Sequence, residues 1–126
     1  MLTAVRKVFF TVAADGSVPA TPQWAGVQGE HNATEVVFEI PAHWVQAGYR
    51  FHAEWIDGVQ GGYVSEALFV QDNTVGVLLP KNWTEAGGIG ELRLVAQLQG
   101  DTEENSQIVY TSTARLSFLT RSGIIE

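Results

Sequence analysis

The sequence predicts an all-β protein, an antiparallel β-sandwich of about seven strands with two short helical turns. Three observations predict it. Apolar residues alternate with polar ones in several runs of strand length. Turn signals built from Gly, Pro, Asn and Asp divide those runs at the intervals usual in sandwiches. One stretch of the chain also repeats another. Val36, Phe38 and Ile40 alternate, Pro41 stops them, Trp44 follows three residues later, and Ala47-Gly48 closes the segment before a second alternating run. Val75, Val77 and Leu79 are stopped in the same way by Pro80, with Trp83 and Ala86-Gly87 following and Leu92, Leu94, Ala96 and Leu98 alternating after them. Such self-similarity marks one supersecondary unit used twice, here strand, helical turn, strand.

Taken in order, Arg6, Val8, Phe10 and Val12 share one face of a first strand, and Asp15-Gly16 is a turn signal. Pro19, Pro22, Gly26 and Gly29 make the stretch from Ala14 to Asn32 mostly loop, with room for a short edge strand near Trp24 to Gln28. Val36, Phe38 and Ile40 then face the core with Glu35 and Glu39 opposite. Pro41 lacks an amide hydrogen and suits the first position of a helical turn over Ala42 to Ala47, which Gly48 ends by taking positive φ. Tyr49, Phe51, Ala53 and Trp55 face the core, and Asp57-Gly58 to Gly61-Gly62 form a hairpin loop.

Tyr63 to Gln71 reads as one strand, Asp72-Asn73 as a tight turn, and Val75 to Leu79 as the next strand. Lys81 to Ala86 repeats the helical turn and Glu91 to Gln99 is strand again. Gly100 to Ser106 is an acidic hairpin loop before a long last strand over Ile108 to Phe118. The architecture is immunoglobulin-like, without the Cys…Trp…Cys pattern of true immunoglobulin domains; a small barrel is the alternative. The two proline–tryptophan turns are expected to carry the chain from one sheet to the other. Trp44, Trp83, Pro41, Pro80, Gly48 and Gly87 are its expected structural core. Residues 1–126 read as one domain, with 121–126 a tail or linker.

Composition limits function. The net charge is −7, seven basic residues against fourteen acidic, which disfavours nucleic acid and suits a basic partner. There is no cysteine, hence no disulfide and no thiolate metal site. Arg6-Lys7 before Val8 to Ala14 has the order of a signal peptide, but the apolar run is only seven residues and includes Thr11. No run approaches the roughly 18 apolar residues of a membrane span.

Chemistry is sparse. His52 and Glu54 share a strand face and could offer two metal ligands, but a solvated face explains them as well. Glu35 and Glu39, read as edge-of-sheet charges, and Glu103 and Glu104, at a loop tip, do not define a cleft between two carboxyls. Asp101, Glu103, Glu104 and Asn105 lack the glycine and distal glutamate of a calcium loop. Asn32-Ala-Thr34 and Asn82-Trp-Thr84 match the glycosylation sequon, a short motif common by chance. No nucleophile elbow or phosphate loop is present, so neither an enzyme nor a cofactor or metal is expected. Among the aromatics, Tyr49 and Trp55 belong to the core face, whereas Trp24, in the proline-rich loop, and Tyr63 are the candidates for partner contact.

Val27-Gln-Gly-Glu-His-Asn-Ala-Thr-Glu-Val-Val-Phe-Glu-Ile-Pro41, the Pro-x-x-Trp-x-x-Ala-Gly turns, Glu66-Ala-Leu-Phe-Val70 before Asp72-Asn-Thr-Val75, and Val109-Tyr-Thr-Ser-Thr-Ala-Arg-Leu-Ser-Phe118 are together similar to one family. Over residues 5 to 120 the chain resembles the N-terminal domain of phage and prophage tail or upper-baseplate structural proteins. The resemblance implies a β-sandwich that docks a longer protein onto the tail core or baseplate, without enzymatic residues. It implies other tail or baseplate proteins as partners, a homo-oligomer in the assembled particle, and a location in the virion after synthesis in the bacterial host cytoplasm. The competing expectation is a carbohydrate-binding or adhesive module of a bacterial surface protein, stacking sugars on Trp24 or Tyr63.

Overall fold

Strand pairing divides the chain between two sheets. A computed structural model describes residues 6–57, 61–65, 68–85, 88–98 and 107–119. Its strands are β1 (Arg6–Thr11), β2 (Gln23–Val27), β3 (Thr34–Glu39), β4 (Arg50–Asp57), β5 (Gly61–Val64), β6 (Val70–Gln71), β7 (Thr74–Leu78), β8 (Gly88–Leu98) and β9 (Gln107–Leu119). Two short helices, α1 (Ala42–Gln46) and α2 (Lys81–Thr84), interrupt them. One sheet has the order β1-β3-β7-β6 and the other β2-β9-β8-β4-β5. Their inner faces meet over Phe10, Phe38, Val75 and Val77 on one side and Phe51, Trp55, Leu94 and Leu116 on the other, which makes the fold a β-sandwich.

The repeated segment is the centre of that sandwich. Each copy runs from the four-stranded sheet through a helix into the five-stranded sheet, as β3-α1-β4 and β7-α2-β8. β3 pairs antiparallel with β7, and β4 with β8, so the copies lie side by side and run oppositely in both sheets. The helices therefore sit at opposite ends. Pro41 and Pro80 stand one residue earlier than the first helical position, as extended N-cap residues, and their carbonyls accept the amides of Trp44 and Trp83, each at 3.0 Å. Gly48 takes φ +74° after α1. Gly87 lies outside the described residues; Gly88 beside it takes φ +67°.

Both indoles of the turns are buried. Trp44 stacks on Tyr110 at 4.4 Å between ring centroids, with Phe51 at 6.3 Å. Trp83 lies parallel to Trp55 at 6.0 Å, and Phe118 meets Trp55 edge-on. Gly90 makes room for that stack: a Cβ there would collide with the Trp55 indole.

Three features differ from the sequence expectation. Among the described residues nine strands are present, because the segment read as one strand from Tyr63 to Gln71 holds two, β5 and β6. β5 pairs with β4 in the five-stranded sheet, whereas β6 pairs with β7 in the other. Alternation along a strand reports which of its sides is buried and not which strand lies beside it, so it cannot reveal such a change of sheet. Gly61 and Gly62 belong to β5 rather than to the hairpin loop. Two pairings are parallel, β1 with β3 and β2 with β9. Parallel neighbours need a connection of a dozen or more residues, and the stretches between these strands provide it.

Candidate partner-docking face

The outer faces of the two sheets carry different chemistry. On the five-stranded sheet, Glu54 is registered opposite Arg93, and Glu91 opposite Arg115. Arg93 also approaches Glu91 at 3.4 Å. Opposite charges in cross-strand register suit a face turned to water.

The four-stranded sheet has a different pattern. Phe9 pairs with Val37, and Val37 with Gly76. Val70 pairs with Val75, so Phe69 comes level with Gly76 from the far edge. An apolar row thus crosses the sheet, with Phe9 58% exposed at one edge and Phe69 91% exposed at the other. Between them Gly76 has no side chain, and an open groove of about 450 Å³ results. Lys7, Glu35, Gln71 and Thr74 supply its polar lining. The Glu35 carboxylate leans over Gly76, where an added Cβ would touch Oε2. Its other oxygen lies 3.6 Å from Lys7 Nζ, an exposed ammonium at the β1 edge.

Glu35 and Glu39, expected at a sheet edge, instead lie on β3, an interior strand flanked by β1 and β7. They bracket Val37 along the same outer face. The sequence reading missed Phe9, Phe69 and Gly76. A signal existed for the first: Phe9 is apolar on the side of its strand opposite to Val8 and Phe10, as Val37 is opposite to Val36 and Phe38.

Trp24 is 55% exposed on β2, the edge of the other sheet. It shares a cross-strand row with exposed Ile89, since both pair with Ser117. One face of its ring is occupied by the Arg6 guanidinium, 4.9 Å from the centroid. Arg6 is itself held. It donates to Glu30 Oε1 and to Thr34 Oγ1, each at 2.8 Å. Glu30 also accepts the Val27 amide at 2.7 Å. The Arg6 guanidinium and that amide hold the Glu30 carboxyl below its ordinary range. This cluster ties β1 of one sheet to β2 of the other. Tyr63 falls on β5 in register with Trp55, and its side chain lies outside the described residues; β5 and β2, the strands that carry Tyr63 and Trp24, are opposite edges of the five-stranded sheet.

The remaining motifs have structural uses. His52 Nε2 and Glu54 Oε2 are 3.4 Å apart, and no group of three or more metal-ligating side chains forms among the described residues. The sequon threonines are buried. Thr34 Oγ1 donates to the Ala25 carbonyl, and Thr84 Oγ1 to the Glu30 carbonyl, which fastens the loop between β2 and β3. The acidic loop at 101–105 lies outside the described residues. No described helix is long and apolar enough to cross a membrane.

No protein-family model matches the sequence, and no curated protein matches it. Among solved structures, the N-terminal domain of phage TP901-1 ORF48 is similar, with a TM-score of 0.60 at 12% identity. The match covers 91% of this chain and 98% of that one. At that identity the likeness is one of fold.

Proposed function

We propose that this chain is a non-enzymatic structural component of a phage or prophage tail or baseplate, acting as a protein–protein docking domain. The observation that carries the reading is the shared fold with the N-terminal domain of phage TP901-1 ORF48 over nearly all of both chains. The residue pattern that resembles tail and upper-baseplate proteins supports it independently, because that pattern is read from turns and strands rather than from superposition. The exposed aromatic groove supplies a surface suited to a protein partner. In this reading residues 1–126 act as one docking unit, repeated by the symmetry of the particle and bound to other tail or baseplate proteins.

The test is the composition of the particle. Particles induced from the strain that encodes the chain are purified by density gradient and their proteins identified by mass spectrometry. The chain is expected at a fixed ratio to the tail proteins and lost when tails are removed from heads. Its absence from intact particles, with the chain abundant in the cell lysate, overturns the reading.

A further inference from the structure

The proposed docking role leaves open which surface docks and what it takes. We infer that the outer groove of the four-stranded sheet binds an extended, basic segment of a partner protein, with the pattern basic–x–apolar–x–basic. The inference rests on the reading of the chain as a docking domain and adds the surface and the chemistry of its occupant.

The outer face of β3 carries the complement of that pattern: Glu35 and Val37 line the groove, and Glu39 stands beside Thr74 where that lining ends. Along β3, Glu35, Val37 and Glu39 follow one another on the outer face. Alternate residues of a strand stand roughly 6.6–7 Å apart, the same interval at which an extended partner offers its own alternate side chains. A basic, an apolar and a basic residue spaced i, i+2, i+4 would therefore meet a carboxylate, a valine and a carboxylate.

The walls fix the direction. Phe9 and Phe69 stand three strand spacings apart, about 14 Å, which admits one extended chain lying along the strands. The central apolar side chain would settle beside Val37, in the depression that Gly76 leaves. Glu35 has an oxygen directed over that depression, with Lys7 at 3.6 Å from the other. Among the described residues no donor lies within hydrogen-bond distance of either oxygen, so a partner ammonium or guanidinium would gain a charge-assisted bond there.

Charge selects against a second copy of this chain as the occupant. Two copies at −7 each repel on approach, whereas a basic segment is drawn in. The five-stranded sheet suits a basic segment less well, because its outward carboxylates Glu54 and Glu91 already face Arg93 and Arg115 in register.

The test uses the full chain and a library of random dodecapeptides displayed on an unrelated carrier protein. The library is panned on the wild type and counter-selected on Phe69→Ser. An enriched peptide is then synthesised and titrated against wild type, Glu35→Gln and Gly76→Ala. Enriched sequences should carry basic residues flanking an apolar one at alternate positions, and each substitution should weaken binding at least about tenfold. Gly76→Ala keeps the test sound, since its Cβ meets only the mobile end of Glu35 and the melting temperature should stay within a few degrees of wild type.

Enrichment that ignores Phe69, peptides without basic residues, or binding indifferent to Glu35→Gln would each overturn the inference. So would a wild-type dimer that Phe69→Ser dissolves, which would make a second copy the occupant. The particle separates this from the broader reading. A wild-type chain missing from particles defeats the tail assignment, whereas wild type and the Glu35→Gln/Gly76→Ala variant incorporated equally defeat the groove alone.

Discussion

A buried indole is replaced at a cost set by how little its surroundings can close over the gap. Trp44 and Trp83 each lie under stacked aromatic rings, Tyr110 and Phe51 for the first and Trp55 for the second. Either Trp→Ala is expected to cost about 3–5 kcal/mol in denaturant unfolding. A loss of melting temperature below about 2 °C would contradict that packing. Gly90 makes the opposite test. Gly90→Ala pushes a methyl into the Trp55 indole, which is itself fixed against Trp83, so an expected loss of about 1–3 kcal/mol reports overpacking. Gly76→Ala is the internal control, because the atom it meets can swing away. The two glycines look alike in the sequence; only their neighbours separate them.

Turn chemistry decides how the elements connect. Asp72 and Asn73 take φ +51° and +60°, the left-handed pair of a two-residue hairpin whose twist matches its strands. They join β6 to β7, with Gln71 paired to Thr74. Asn73→Val forces a β-branched side chain into that region and is expected to cost about 1–2 kcal/mol, while Asn73→Gly is tolerated. Thermal melts of the two variants side by side check this, and equal melting temperatures would refute it. The same hairpin holds the segment carrying Phe69 beside β7, so the element that shapes the groove's far wall is a two-residue strand anchored by one turn.

For the whole molecule, the point of interest is where one edge of the sandwich closes. Arg6 on β1 reaches Glu30 and Thr34 and stacks on Trp24 of β2, joining the two sheets through side chains. The Glu30 carboxyl is held below its ordinary value of 4.5, chiefly by the hydrogen bond from Arg6. A lowered folded-state pKa stabilises the fold above the unfolded value, and that contribution disappears as pH falls through the folded value. Wild type should therefore lose more melting temperature than Glu30→Gln as pH drops below 4.5, with the gap closing in strong acid. Parallel pH profiles for the two proteins would show that the clamp adds nothing.

Much of the fold is legible in the residues alone. The two proline–tryptophan segments predict the crossovers between sheets, because a proline cannot continue a central strand and the apolar alternation resumes only beyond the turn. β2 near Trp24 and the turn at Asp72-Asn73 are legible for equally local reasons. The split between β5 and β6, the parallel edges of both sheets and the outer groove of the four-stranded sheet are not. Each depends on which strand lies beside which, and neighbours in a sheet come from distant parts of the chain. Phe9, Val37, Gly76 and Phe69 are spread over positions 9 to 76 of the sequence and form one row only when four strands are registered side by side. Local backbone preference and periodicity thus set the elements, while pairing between remote strands set the surface on which function would rest.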